Sequence, residues 1–454
     1  MYEPKVIGGK LLRIIVTDFG AKPDGVSFST EAIQKAIDIC FENGGGVVVI
    51  PAGIYLSRPI RLKSNVTLYL EEGAVIKATN NIEDYYQIGY YHNEWGEVTS
   101  FLYAMNEKDI AVEGKGTIDL SGSSFMDFSR AFNQFEELSQ LDKEQFEETE
   151  CKPICRPNQP IFFYNCENIS LSGVSIIDSP CWTVCINSSK YIKVHNIRIM
   201  NNLRVPNSDG IHLCSCENVI LTDSFFTCGD DCVAISGITN WDKPCENIIV
   251  SNCIMQTRSA AVRMGHLDSK VKNVVVSNLI ILNSNRGIAI FANGKNGYVK
   301  SVTISNVIMT TKIFAGTWWG KGEPIVIVSP EDGNFIEDIS ISNVKAYSEN
   351  GILIYGKDNN IRNISLKNID IYLSFGKNRP LFGKRIDILP SQCSPFPDYM
   401  NKIPWIFAKD VFSLKLQDIN YGYNLQSLKT DFDIEGIFQN VNNSFFSSIR
   451  KVAT

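Results

Sequence analysis

From residue 168 onward one phrase recurs along the chain: NISLSGVSI, YIKVHNIRI, NVILTDSFF, NIIVSNCIM, NVVVSNLII, SVTISNVIM, DISISNVKA and NISLKNIDI. Each copy has alternating aliphatic residues, then one of Gly173, Asn196, Asp223, Asn252, Asn278, Asn306, Asn343 or Asn368, then a second aliphatic run. The interval is roughly 23 to 37 residues, within the range of solenoids. Gly, Asn and Asp tolerate left-handed backbone angles, so each reads as a bend between two short strands. A single coil cannot bury its own apolar face, and neighbours must therefore stack. The pattern predicts an all-β fold, a single-stranded parallel β-helix.

A solenoid needs its open end covered. STEAIQKAIDICFENGGG supplies a short N-terminal capping helix: Ser29 or Thr30 as cap, Glu31 in the first turn, Gly44 to Gly46 as the stop. Its packing face is expected to hold Ile33, Ala36, Ile37, Cys40 and Phe41. The expected organisation is one domain over residues 1–454, with the cap and first coils at 14–80 and the main coils at 160–375. An inserted excursion at 121–159 predicts one or two short helices, and a closing segment fills 376–454, its last residues a tail.

The 454 residues are 44% hydrophobic and 20% charged, as in a folded protein, with a net charge of -6. That acidity and the sparse basic clusters argue against a nucleic-acid partner. The opening MYEPKVIGGKLLRIIVTDFGA has no leader pattern, and no apolar run reaches the roughly 20 residues of a membrane span. The expectation is a cytoplasmic protein without a membrane partner, or a secreted one if a leader has been removed; oligomeric state is not legible. Many of the 13 cysteines, such as Cys181, Cys185, Cys214, Cys216, Cys228 and Cys232, sit in strand-like runs and read as buried thiols rather than metal ligands. His92 and His195 read as structural or surface residues, and no histidine pair has metal-ligand spacing.

Residues 207–235 read NSDGIHLCSCENVILTDSFFTCGDDCVAI. Asp209 and the pair Asp230 and Asp231 are one repeat apart, so stacking puts three carboxylates on one face of adjacent coils. Crowded carboxylates in a partly dry groove split their roles: one keeps its proton while another stays ionised. Hydrolysis of a glycosidic bond needs that division between acid and base. A lone Asp such as Asp223 reads instead as bonding its own turn.

At this point the chain resembles glycoside hydrolase family 28, the polygalacturonase and rhamnogalacturonase group, which implies that the parallel β-helix is right-handed. The resemblance runs from VTDFGAKPDGVSFSTEAIQKAID through GGGVVVIPAGIYL, LKSNVTLYLEEGAVI and CRPNQPIFFYNCENISLSGVSIIDSPCWTV to NSDG and GDDCVAI. It implies an inverting hydrolase of pectin-derived oligosaccharides without metal or organic cofactor. It also implies that Asp230 is the general acid, that Asp209 and Asp231 activate water, and that Asn207 opens the substrate-binding motif, with Ser208 in place of the usual Thr.

The match breaks on the next two coils. Where the family carries Gly-His-Gly and Arg-Ile-Lys motifs, ungapped matching puts Ala260, Ala289 and Phe291 at the cationic positions. Ala and Phe cannot bind a uronate carboxylate, so plain polygalacturonate is not the expected substrate. Other candidates for sugar contact are His212, Arg263, His266 and Arg286, and the loop GTWWGKGEP with Trp318, Trp319 and Glu323. An intracellular enzyme would meet oligosaccharides rather than polymers, which favours attack from the chain end. The alternatives are a β-helix lyase or epimerase, and a non-catalytic glycan-binding β-helix.

Overall fold

The computed structural model describes residues 12–132, 139–237, 243–316, 319–382, 386–388, 402–423 and 435–452. Thirty-two of the described strands belong to one sheet system that winds as a right-handed parallel β-helix. Three ladders of stacked strands make its walls. The first runs Val66–Leu70, Lys108–Gly114, Glu167–Ser172, Lys190–His195 and Glu217–Thr222. The second runs Ala74–Ala78, Thr117–Asp119, Ser175–Ile177, Arg198–Met200 and Phe225–Cys228. From Cys245–Thr257 onward these two fuse into long bent strands. The third ladder, which carries the site, runs from Leu102–Met105 through Ile161–Tyr164, Val184–Asn187, Ile211–Cys214, Val233–Ser236, Ala260–Met264 and Arg286–Phe291 to Ile325–Val328.

The repeat's bend residues behave as their chemistry demands. All eight, from Gly173 to Asn368, have positive φ. The Asn252 amide donates to Asp223, Asn278 to Asn252, Asn306 to Asn278, Asn343 to Asn306 and Asn368 to Asn343, at 2.8 to 3.1 Å. Each side chain thus tolerates the left-handed turn and also bonds the next coil, a continuous file along the outside. Inside, residues such as Val194, Leu221, Val250 and Val276 stack into one apolar column.

The helix Thr30–Glu42 closes the first coil with Ala32, Ile33, Ala36, Ile37 and Cys40 buried. Phe41 departs from the expected face: it is 41% exposed, with the Lys63 ammonium 5.2 Å from its ring centre. Among its described residues the excursion holds one α-helix, Lys143–Glu148, started by a capping box between Asp142 and Gln145. The antiparallel strands Met126–Ala131 and Cys151–Pro153 flank it. The expected tail is a correction: Ile437–Asn442 and Phe445–Lys451 pair with Ile406–Tyr423 and extend the solenoid, their backbone N–H and C=O groups satisfying the exposed edge of the previous coil.

A feature the repeat did not signal lies over the outer face of the third ladder. The hairpin Gln87–His92 and Gly96–Thr99 packs there on a second apolar cluster of Val98, Tyr103, Phe162, Cys181, Trp182, Cys185 and Cys214. All described cysteines except Cys155 are buried, and none is in a disulfide.

Candidate active site

Asp209 stands two residues before the strand Ile211–Cys214, and Asp231 two before its neighbour Val233–Ser236, in which Ile211 registers with Val233. Gly210 donates its N–H to the Asp231 carbonyl at 2.8 Å, so the two aspartates occupy equivalent places on adjacent coils. The glycines beside them are forced by close approach. A Cβ on Gly210 would lie 2.3 Å from the Cys232 oxygen, and one on Gly229 would lie 2.1 Å from the Val205 oxygen. One carboxylate oxygen from each of Asp209, Asp230 and Asp231 falls within 4.8 Å of the others.

Their surroundings differ. Asp231 Oδ1 accepts from Ser259 Oγ at 2.7 Å and from the Ala260 N–H at 3.0 Å, while Oδ2 pairs with Arg263 Nε. Asp209 Oδ2 lies 3.4 Å from His212 Nδ1, and its Oδ1 has no hydrogen-bond partner. Burial pushes the Asp209 carboxyl up to about 6 although His212 pulls it down. Burial, then the charges of Asp209, Asp231 and Glu150, push Asp230 well above the ordinary carboxylate range. At 9% exposure, Asp230 also keeps more edge to solvent than Asp209 at 2% or Asp231 at 1%. The arrangement can therefore hold a proton at Asp230 while a neighbouring carboxylate is free to accept one.

The other expected site residues divide into two groups. His212 is buried with its ring centre 3.6 Å from that of Trp182, and its Nε2 meets Ser236 Oγ at 3.1 Å. His266 Nε2 pairs with Glu94 at 3.1 Å, and against the effect of burial His266, then the charges of His212 and Arg263, hold the Glu94 carboxyl below its ordinary value. The Asn207 side chain accepts from Arg156 at 2.8 Å, and Arg156 also bonds the carbonyls of Pro180 and Pro206. These residues gather around the aspartates.

Arg286, Trp319 and Glu323 do not. Arg286 is fully buried, paired with Glu323 at 3.3 Å and Asp387 at 3.1 Å, with its guanidinium 4.8 Å from the Trp319 ring centre. Glu323 is also fully buried and Trp319 nearly so, and this closed cluster presents no side-chain surface to a sugar. Trp318 lies outside the described residues. Ala260, Ala289 and Phe291, at the matched cationic positions, are fully buried. Arg263 registers directly with Ala289 on the next strand, so a cation stands one coil earlier in the same file, already paired with Asp231.

Several neighbours had escaped sequence reasoning. Glu150 and Arg156 come from the excursion, Glu94 and Trp95 from the hairpin turn, and Trp182 from the loop before Val184–Asn187. Burial pushes the Glu150 carboxyl up to about 7 against the pull of Arg258 and Arg156. The alternation and Asn-Glu-Trp-Gly turn in QIGYYHNEWGEVT are a hairpin signal that could have located Glu94 and Trp95. A separate concavity of about 1100 Å³ lies on the first ladder, lined by Asn65, Tyr191, His195 and Asn247 among others, and none of the three aspartates lines it.

Three crowded carboxylates on one ladder of a parallel β-helix can divide an acid from a base, as hydrolysis of a glycosidic bond requires. The model of glycosyl hydrolases family 28 matches residues 40–380, and the chain belongs to that family. A probable polygalacturonase of Vitis vinifera is 28% identical over 329 residues, covering 68% of this chain and 62% of that protein. An exo-poly-alpha-D-galacturonosidase of Dickeya chrysanthemi is 26% identical over 326 residues, covering 63% of this chain and 52% of that protein. The chain thus spans between half and two thirds of the length of these relatives. The structure of a family 28 exopolygalacturonase of Yersinia enterocolitica superposes with a TM-score of 0.70 at 19% identity, over 96% of this chain and 78% of that one, which shows a shared fold.

Proposed function

We propose that the protein is a glycoside hydrolase acting on pectin-derived oligosaccharides, with Asp230 as general acid and Asp209 as the principal base toward water. Asp231 completes the triad, held by Arg263, Ser259 and the Ala260 N–H. The observation that carries this reading is the unequal setting of three carboxylates within 4.8 Å, in a chain of family 28.

Asp209 Oδ1 is buried and without a hydrogen-bond partner, so it is the triad oxygen left free to take a proton from a water that enters with the substrate. The family resemblance implies inversion at the anomeric carbon. Glycosidases with carboxyl groups about 5–5.5 Å apart ordinarily retain configuration, and those about 6.5–9.5 Å apart ordinarily invert. The triad's oxygens, within 4.8 Å of one another, fall on the retaining side of that rule, and Asp209 Oδ1 is unpartnered, so inversion rests on the family resemblance alone.

Attack from the chain end is supported by the hairpin and excursion, which crowd the site from outside with Trp95 and Arg156, 5.7 Å apart. Plain polygalacturonate is a poor fit because the described cation nearest the triad, Arg263, is bound to Asp231. Product analysis with polygalacturonate, rhamnogalacturonan oligosaccharides and neutral plant glycans tests the reading. A saturated sugar released from a chain end supports it. An unsaturated, ultraviolet-absorbing product would establish a lyase instead, and binding without turnover a lectin-like role.

A further inference from the structure

Under Trp182 lies a cluster that the glycosidase chemistry does not use. A ring nitrogen of His92 and the sulfurs of Cys185 and Cys214 lie within 4.8 Å of one another, and all three residues are fully buried. The groups come from separate parts of the chain: His92 from the hairpin, Cys185 from Val184–Asn187, and Cys214 from the next strand, Ile211–Cys214. His92 Nε2 is enclosed and meets no oxygen partner; the side chain it acts on is the Cys214 thiol. Its Nδ1 accepts the Glu94 N–H at 3.2 Å, the long end of the range for such a bond.

We propose that His92, Cys185 and Cys214 bind a zinc ion that staples the hairpin to the third ladder. Thiolate and imidazole are the donors zinc selects in structural sites. Bond lengths of about 2.3 Å to sulfur and about 2.0 Å to nitrogen put the ligand atoms of a tetrahedron about 3.5–3.8 Å apart, so closure around zinc from within 4.8 Å needs a contraction of about 1.3 Å at most. On the fourth side stand Ser236 Oγ, 4.0 Å from the Cys214 sulfur, and His212 Nε2, 3.1 Å from that hydroxyl.

Charge selects zinc over cuprous copper. Two thiolates neutralise a divalent ion, whereas a monovalent ion leaves a net negative charge among Val98, Tyr103, Phe162 and Trp182 that only a protonated His212 would offset. On binding, both thiol protons leave, and the His92 ring proton moves from Nε2 to Nδ1, which gives up the long Glu94 contact. Because the cluster is sealed, the ion enters as the hairpin docks during folding.

The site is tested on full-length protein expressed with added zinc and passed over a chelating resin. The proposal predicts about one zinc per chain, with Cys185→Ser and Cys214→Ser lowering retention at least about tenfold. Cys228→Ser, a buried cysteine outside the cluster, serves as the control and keeps its zinc. Cobalt substitution should give thiolate charge-transfer bands in wild type that both serine variants lose. Removing zinc should also expose residues 87–99 to proteolysis. If a serine variant fails to fold by circular dichroism, His92→Gln carries the test. Wild type that retains no zinc, and whose melting temperature does not change when it is refolded with zinc, would overturn the proposal. Retention of copper alone would overturn the choice of zinc. The glycosidase reading survives either result, because the three aspartates are not ligands.

Discussion

Arg263 and Asp231 form a charge pair on adjacent coils, the guanidinium Nε bonded to Oδ2 with side-chain exposures of only 7% and 2%. Asp231 favours the cationic form of Arg263, and its own second oxygen is held by Ser259 and Ala260. The pair fixes one corner of the triad. Arg263→Ala leaves a buried carboxylate without its countercharge, a change that costs about 3–5 kcal/mol in comparable settings. Urea unfolding should show a loss of that size, with turnover reduced as well; Arg263→Lys, which keeps the charge but not the fork, should fall between. A loss within about 0.5 kcal/mol would mean the pair is not closed in solution.

The aspartates should be an instability at neutral pH. The folded-state carboxyl of Asp209 is raised to about 6, so the fold disfavours its ionisation. The sign follows from linkage: below the unfolded value near 3.8 the group is protonated in both states, and its unfavourable contribution grows as pH rises toward about 6. Asp209→Asn should therefore raise the melting temperature at pH 7 and have little effect near pH 3. Activity moves the opposite way: the wild-type rate should fall as pH drops through about 6, where Asp209 gains its proton.

Glu150 reaches Asp230 electrostatically from the excursion. Its carboxyl is raised to about 7, so its charge acts on Asp230 mainly above that pH. Glu150→Gln removes this repulsion, lowers the pH at which Asp230 gives up its proton, and should shift the alkaline limb of the activity profile to lower pH. Only the acid limb should stay in place. An unchanged alkaline limb would detach Glu150 from the acid.

The file of bend residues makes a stability prediction away from the site. Asn306 has φ of 58°, donates to Asn278 and accepts from Asn343. Asn306→Ala loses both bonds, about 0.5–1.5 kcal/mol each, and strains the left-handed turn by about 1–2 kcal/mol. Asn306→Gly, which loses the bonds alone, should cost less, and denaturant titration of the two variants separates the contributions.

What the sequence revealed follows locality. The bends were legible because a left-handed turn restricts residue choice wherever it occurs, and Asp209, Asp230 and Asp231 were legible because one repeat becomes one coil. Glu94, Trp95, Glu150 and Arg156 were not, since non-repeating segments brought them in and their destination depends on tertiary packing. His92 illustrates this limit: 122 residues separate it from Cys214, and no spacing rule joins them. Arg286 and Glu323 show the converse, candidate charges that pair with each other inside the wall. Phe41 sat on the apolar stripe of its helix, but in the fold it stays exposed beside the Lys63 ammonium.

The assignment of Asp230 as the acid is tested most directly by the rate of sugar release from pectin-derived oligosaccharides by wild type and Asp230→Asn, with circular dichroism confirming that both fold. The amide cannot deliver a proton to the leaving oxygen, and general acid catalysis is worth about 10²–10⁴-fold. The account predicts a loss of at least that order with substrate binding retained. Turnover by Asp230→Asn within a few-fold of wild type would contradict it.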